Sequence, residues 1–230
     1  MNKSFLPILI GLLCFSLSSN AQEYSFGVKG GGNYVMGGSI TGKDPGGVGY
    51  FDGTIEADPE FGFHAGVFFQ LKFGKFFIRP EAMYHTMSTT FEFPTQPSAY
   101  EVDKISIPLL FGYNIWGPID IYAGPAYQNI MNSSLEGTEP PDKVIVVQNT
   151  PLAAQAGVKV NFGRFEVDLR YDRTLASKEL QFVDIDNGEY GVNDADFTDS
   201  RLNQVLLSIG FKIGDSESNP GRRRGKGCYF

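Results

Sequence analysis

His64 and His85, the only two histidines of the 230-residue chain, are the side chains best suited to chemistry near neutral pH. Paired imidazoles can bind a transition metal or act as a pH switch. Ser88 and Glu92 lie close to His85 in sequence, and a hydroxyl, an imidazole and a carboxylate are what an acyl or peptide hydrolase needs. No motif supports that arrangement, so we predict that the chain is not an enzyme and keep a hydrolase as the weaker alternative.

Charged side chains recur at alternate positions of several apolar segments. Alternate residues of a β-strand point to opposite faces, so these charges share one face of each predicted strand. Acidic and basic residues occur together on that face, and within a narrow enclosure they can neutralise one another. The residues predicted to form such charge pairs are Arg79, Glu81, Lys159, Glu166, Asp168 and Arg170.

Alternation with a period of two is the dominant pattern from Glu23 onward. In 61–73 one face is wholly apolar, whereas the other carries His64, Gln70 and Lys72 together with two glycines and Phe68. Eight segments of this kind predict eight strands, at residues 23–34, 61–73, 76–91, 102–115, 119–128, 152–162, 165–172 and 204–213.

Short and long connections alternate between these segments. Gly74-Lys75, Trp116-Gly117-Pro118 and Gly163-Arg164 are predicted tight turns. The long loops are expected at 35–60, 92–101, 129–150 and 173–200. This order is typical of membrane barrels, whose periplasmic turns are short and whose extracellular loops are long.

The predicted fold is therefore an all-β, eight-stranded antiparallel transmembrane β-barrel. Lipid offers no hydrogen-bond partner, so only a closed sheet leaves no backbone edge exposed. Apolar side chains should face the lipid and the charged face should line the interior. Eight strands leave an interior just wide enough for side chains to fill, so no broad pore is expected.

Two tight turns fix the expected register. A two-residue turn at Gly163-Arg164 places Asp168 opposite Lys159, and we predict an ion pair there. A two-residue turn at Gly74-Lys75 places His64 opposite His85, pointing inward near the extracellular mouth. Three prolines at 80, 108 and 125 fall inside strands, where bulges are expected because proline removes a ladder donor.

Residues 1–21 are predicted to be a secretory signal peptide. Lys3 precedes an apolar run at 5–17, and small residues end at Ala21, where cleavage is expected. Residues 22–214 then form the barrel domain. The sequence pI of about 4.9 argues against a nucleic-acid partner. The chain has no Gly-rich phosphate loop, CxxC pair or HExxH motif, so no cofactor is predicted.

Residues 215–230 are predicted to be a basic periplasmic tail, with a cationic cluster formed by Arg222, Arg223, Arg224 and Lys226. Such a cluster could meet anionic lipid heads, peptidoglycan carboxylates or a periplasmic or secretion-system protein. Cys228 is the only cysteine left after export, since Cys14 lies in the signal peptide, so no internal disulfide is expected.

The loop at 173–200 is acidic, with six carboxylates between Asp184 and Asp199. Their oxygens could hold Ca²⁺ next to lipopolysaccharide, and a solvated acidic loop is the alternative.

Several short motifs, in their order along the chain, resemble those of the PorT-like outer-membrane β-barrel proteins of Bacteroidota. They are Phe26-Gly27-Val28-Lys29-Gly30-Gly31, Arg79-Pro80-Glu81-Ala82-Met83-Tyr84, Ile105-Ser106-Ile107-Pro108-Leu109-Leu110, Tyr122-Ala123-Gly124-Pro125-Ala126-Tyr127 and Arg170-Tyr171. The resemblance implies an outer-membrane barrel of about eight strands. Its namesake takes part in type IX secretion, but similarity of fold does not carry that role across.

We therefore predict an integral outer-membrane protein with a filled lumen. Its expected role is structural or interactive, by displaying loops or by anchoring a periplasmic partner, and lipid and lipopolysaccharide surround it. Transport of small solutes through a narrow pore is the competing reading.

Overall fold

The computed structural model describes residues 23–36, 38–43, 51–138, 151–175, 180–192, 194–198 and 203–216. The predicted signal peptide and the tail cluster from Arg222 to Lys226, with Cys228, lie outside these ranges. Within them no helix is long and apolar enough to span a bilayer. The strands are β1 (Glu23–Val35), β2 (Ser39–Gly42), β3 (Thr54–Pro59), β4 (Phe61–Phe73), β5 (Phe76–Glu92), β6 (Pro97–Trp116), β7 (Ile119–Leu135), β8 (Leu152–Phe162), β9 (Phe165–Thr174), β10 (Gln181–Val183), β11 (Ala195–Thr198) and β12 (Gln204–Asp215), with one helical turn, α1 (Asn187–Tyr190).

Eight of these strands close into a ring in which each neighbour is antiparallel. The order around the ring is β1, β4, β5, β6, β7, β8, β9 and β12, and β12 pairs back onto β1 from Ser25–Asp215 to Val35–Gln204. The predicted eight-stranded barrel is therefore confirmed. Closure gives each of the eight strands a hydrogen-bonded neighbour on both sides, as a sheet surrounded by lipid requires.

The three tight turns join strands at one end of the barrel, which we call the turn end. Phe73 pairs with Phe76 and Phe162 with Phe165, so both glycine turns contain two residues as predicted. Gly74, Gly117 and Gly163 have φ angles of 63°, 52° and 62°. Primed hairpin turns need this positive φ, which glycine adopts without a steric penalty.

The two faces of the wall are also as predicted. Aliphatic and aromatic side chains point outward and are exposed, whereas the ten charged residues described below are buried inside. Outward aromatic residues stand near both edges of the apolar band, as in the girdles of membrane barrels. Those toward the loop end are Tyr34, Phe61, Tyr84, Tyr127 and Tyr171, and those toward the turn end include Phe76, Trp116, Phe162 and Phe165.

The opposite end, the loop end, is more ordered than predicted. The expected ten-residue loop at 92–101 is wrong, because β5 and β6 stay paired to Glu92–Pro97 and leave only 93–96 between them. Strand β7 likewise continues to Leu135. Four short strands occupy the loops predicted at 35–60 and 173–200, and β11, β2 and β3 extend the sheet from β10 to β5. On the upper part of β5 the outward residues Thr86, Ser88 and Thr90 are polar, as expected where the wall rises above the apolar band.

The prolines do not shift the register, so the bulges predicted there are wrong. The β4–β5 partners on either side of Pro80, Phe68–Glu81 and Leu71–Ile78, keep one register although the intervening pairs are missing. The wall tolerates the lost donors locally without an inserted residue. Register shifts occur instead at Phe26/Gly27, Asp103/Lys104 and Asn114/Trp116.

Candidate functional site

The lumen is crossed at mid-height by two ion pairs between β5 and β9, which lie on opposite sides of the ring. Arg79 of β5 donates to Glu166 of β9 from both terminal nitrogens, with one N–O distance of 2.9 Å. Arg170 of β9 donates to Glu81 of β5 at 2.8 Å and 3.1 Å. Each arginine is therefore held in a two-bond fork by a carboxylate across the barrel, the geometry in which such pairs are strongest.

Asp168 joins these bridges to two further strands, β1 and β7. Its carboxylate accepts from the Lys29 ammonium of β1 and from the Tyr122 hydroxyl of β7, and Arg170 Nη2 lies 3.0 Å away. Lys29 also lies 3.5 Å from Glu81. Every charge in this layer thus has an opposite charge or a hydroxyl within reach, which offsets the cost of removing it from water.

Lys159 and Asp168 are partners across the β8–β9 ladder, as the Gly163-Arg164 turn requires. Their side chains nevertheless make other ion pairs. Lys159 Nζ donates to Gln70 at 2.6 Å and lies 3.5 Å from Asp120 and 3.8 Å from Glu166. In a narrow barrel a long side chain reaches acceptors on several walls, so the facing residue in the ladder need not be its partner.

A second polar layer lies nearer the loop end. The Asp172 carboxylate accepts from Lys104 Nζ at 3.0 Å, from Gln204 Nε2 at 2.8 Å and from Gln128 Nε2 at 3.1 Å. In all, five basic and five acidic side chains are buried inside the barrel among the described residues. They are Lys29, Arg79, Lys104, Lys159 and Arg170 with Glu81, Asp120, Glu166, Asp168 and Asp172.

The two histidines are ladder partners across β4 and β5, as the Gly74-Lys75 turn predicts. Their rings stack with centroids 5.5 Å apart, and both are buried. His64 Nε2 lies 2.7 Å from the Ser208 hydroxyl, whereas neither ring nitrogen of His85 has a hydrogen-bond partner. They do not line an open mouth, because an apolar cluster lies between them and the loop end.

The residues considered for a hydrolase are not brought together. His85 points into the barrel, whereas Ser88 and Glu92 lie on the outward face of the same strand. The alternation of β5 separates them, so the strand cannot present a hydroxyl, an imidazole and a carboxylate to one substrate.

The apolar cluster at the loop end, which we call the cap, was missed by the sequence reading. It contains fifteen buried side chains from the upper wall and from the short strands. Phe197 of β11 is central to it, with ring centroids 5.8 Å from Phe91 and 4.8 Å from Tyr100. The members are Val35, Ile40, Ala57, Met87, Phe91, Phe93, Tyr100, Val102, Leu135, Val183, Ile185, Tyr190, Val192, Ala195 and Phe197.

Polar contacts on the outer surface hold the segments of the loop end together. Glu60, between β3 and β4, accepts hydrogen bonds from the hydroxyls of Thr90 and Ser88, and these bonds lower the pKa of the Glu60 carboxyl. Lys43 pairs with Asp196 at 2.7 Å across the outer face of the short strands.

The acidic loop does not gather a metal site in the part of the chain that the structure describes. No group of three or more His, Cys, Asp or Glu side chains there is placed to hold an ion. Asp186 instead accepts from the backbone N–H groups of Gly188 and Glu189. Asp199 lies outside the described ranges.

The turn end has a polar vestibule of about 200 Å³. Asp120 on its wall accepts from Asn114 at 2.7 Å and from Asn161 at 2.8 Å. Lys72 pairs with Glu23 at 2.9 Å near its rim. The interior is thus open toward the turns, filled by ion pairs at mid-height and closed by apolar side chains at the loop end.

Comparison with known proteins agrees with this architecture. The sequence profile of a family described as outer membrane protein beta-barrel domain matches residues 20–178. No curated protein matches the sequence significantly.

Several solved structures resemble the chain in fold. OprG from Pseudomonas aeruginosa is 15% identical, with a TM-score of 0.47 over 84% of this chain and 96% of that one. Ail of Yersinia pestis, crystallised with the heparin analogue sucrose octasulfate, is 12% identical, with a TM-score of 0.39 over 84% of this chain and 100% of that one. Neisserial surface protein A is 11% identical, with a TM-score of 0.39 and the same coverages of 84% and 100%.

Proposed function

The chain belongs to the outer membrane protein β-barrel domain family, and from this premise we propose that it is a closed barrel with a structural or interactive role. The observation that carries the proposal is the pair of ion bridges from β5 to β9, Arg79–Glu166 and Arg170–Glu81. They occupy the centre of the lumen, where a solute would have to pass. The cap above them closes the loop end with apolar side chains.

The ordered loop end is the part of the molecule best suited to interaction. Short strands carry exposed side chains outside, among them Phe182 and Thr41, over a core that holds them in place. A display surface on a rigid base loses less conformational entropy on binding than a free loop does. We place the loop end outside the cell and the turn end in the periplasm, following the order of short and long connections in membrane barrels.

Conductance distinguishes this role from transport of small solutes. Purified protein in planar bilayers should give no steady current above that of protein-free bilayers, because buried ion pairs must break before an ion or solute can pass. Steady single-channel currents would overturn the proposal in favour of a narrow porin.

Export and the tail make two further parts of the proposal. Cleavage after Ala21 should leave Gln22 as the first residue of the mature protein, which N-terminal sequencing of outer-membrane material can test. We propose that the chain is a PorT-like protein of Bacteroidota. We also propose that its tail cluster, Arg222–Arg224 with Lys226, anchors a periplasmic partner. Replacing Arg222, Arg223, Arg224 and Lys226 by glutamine, with Cys228 kept, should abolish crosslinking through Cys228 to that partner while barrel assembly is kept. Unchanged crosslinking in this variant would contradict the anchor.

A further inference from the structure

The outer wall of the barrel carries an apolar groove near the turn end. Its volume is about 340 Å³, and its exposed surface is mostly apolar. The groove lies across β5, β6 and β7 rather than in the lumen. It is lined by Phe76, Phe111, Gly112, Tyr113, Ile121, Tyr122 and Ala123.

The groove exists because a small residue, Ala123, interrupts a row of bulky outward side chains. Ala123 of β7 is the ladder partner of Phe111 of β6, so a methyl group stands beside a phenyl ring. The rings of Phe76 and Tyr113, with centroids 4.9 Å apart, form the wall on the other side. The result is a slot with aromatic walls and a low floor.

Hydrocarbon is the medium that this slot faces. Outward neighbours on the same strand, Ile107, Leu109 and Ile115, are exposed and belong to the apolar band. Trp116, which is 75% exposed, marks the turn-side edge of that band, where aromatic residues meet the lipid headgroups. An apolar slot within this band is therefore in contact with acyl chains.

A lysine, Lys75, lies at the end of the slot that is nearer the lipid headgroups. Lys75, in the turn between β4 and β5, places its ammonium 6.0 Å from the centroid of the Tyr113 ring. Tyr113 itself lines the groove. An ammonium at this height can meet a lipid phosphate while the acyl chain below it fills the slot.

We propose that this groove binds one phospholipid of the periplasmic leaflet, with an acyl chain between Phe76, Phe111 and Ala123 and the phosphate at Lys75. The inference rests on the proposed orientation of the barrel, and it adds a lipid site to the proposed role. The apolar slot holds the acyl chain by its shape, and the positive charge of Lys75 selects the phosphate.

Native mass spectrometry of the full chain, released from nanodiscs of phosphatidylethanolamine and phosphatidylglycerol, tests the site. The natural protein should retain one phospholipid under activation that strips the remaining lipid. Ala123→Leu fills the slot and should lower the retained fraction about tenfold, the loss expected when about two methylene groups are displaced. Ala65→Leu is the matched control, because Ala65 is an outward alanine of β4 away from the groove, and it should retain the lipid.

The charge is tested separately. Lys75→Glu should lower phospholipid retention, whereas Arg164→Glu, in the β8–β9 turn at the same end of the barrel, should not. Heat-modifiable gel migration confirms that each variant is folded. Equal retention in the natural protein and in Ala123→Leu, or a second copy of the chain in place of lipid, would overturn the site. The conductance of the barrel is unaffected by either result, so the lipid site and the closed lumen are tested independently.

Discussion

Arg170 and Glu81 are joined by two hydrogen bonds of 2.8 Å and 3.1 Å, although their strands lie on opposite sides of the barrel. Arg79 and Glu166 make the reciprocal bridge between the same two strands. Each of β5 and β9 therefore supplies one arginine and one glutamate to the crossing. The two bridges fix the distance between opposite walls and occupy the space between them.

Glu81 is the carboxylate on which most of this layer depends, because Lys29, Arg79 and Arg170 all lie within 3.5 Å of it. Glu81→Gln keeps the volume and removes the charge, leaving three buried cations with one fewer counter-charge. We expect the free energy of unfolding to fall by about 3–5 kcal/mol, as when one partner of a buried pair is removed. Urea unfolding followed by the fluorescence of Trp116, the single tryptophan, measures it.

Glu101→Gln is the control for that experiment, since Glu101 is exposed on the outward face of β6. It should change the free energy of unfolding by less than about 0.5 kcal/mol. An equal loss in the two variants would mean that the lumen layer contributes nothing specific to stability.

Replacing His64 and replacing His85 should change the free energy of unfolding in opposite directions. His85 buries two ring nitrogens without partners, so His85→Leu should raise the free energy of unfolding by about 1 kcal/mol. His64→Leu should lower it by about 1 kcal/mol, because it leaves the buried Ser208 hydroxyl without its imidazole partner. The same unfolding assay compares both, and a loss at His85 as large as that at His64 would contradict the asymmetry.

The cap should unfold without the barrel. Phe197 is fully buried between Phe91 and Tyr100, so Phe197→Ala should destabilise the cap by about 3–5 kcal/mol. Limited proteolysis should then cut the loop end while heat-modifiable migration of the barrel is kept. Phe182→Ala, on the neighbouring strand and half exposed, should leave the protease pattern unchanged. Loss of barrel assembly in Phe197→Ala would show that cap and barrel fold as one unit.

The barrel wall was predictable from the sequence because two local rules set it. Period-2 alternation fixes which face each residue occupies, and a two-residue turn fixes the register, as at Gly74-Lys75 and Gly163-Arg164. His64 opposite His85 and Lys159 opposite Asp168 follow from these turns alone. The network of ion pairs inside the lumen was harder to predict from the sequence. Lys159 contacts Gln70 on another strand, because contacts across a lumen depend on side-chain length rather than on ladder partners.

The cap was missed because its alternation is reversed. Above the apolar band, Thr86, Ser88 and Thr90 point outward while Met87 and Phe91 point inward. A membrane strand is expected to have apolar outward residues, so the polar outward residues here resemble the start of a loop. The continued period of two was the available signal, since inward apolar residues at Tyr100 and Val102 face those of β5.

The seam between β1 and β12, where the first strand meets the last, depends on glycine. A Cβ added to Gly31 would lie 1.9 Å from the carbonyl oxygen of Leu207, much closer than real Cβ contacts allow. Gly31→Ala must therefore move the backbone of the seam, and we expect the free energy of unfolding to fall by about 2–3 kcal/mol. The loss should appear together with slower conversion to the heat-modifiable folded form, because ring closure is the step that is obstructed.

Gly163→Ala separates this steric effect from backbone preference. Gly163 has a φ of 62° and open space around its Cβ position, so alanine there should cost only about 1 kcal/mol through its left-handed conformation. The folded form should be reached at the natural rate, because the β8–β9 turn does not lie in the closing seam. A loss at Gly163→Ala equal to that at Gly31→Ala, or unchanged assembly of Gly31→Ala, would contradict the role of the close approach between β1 and β12.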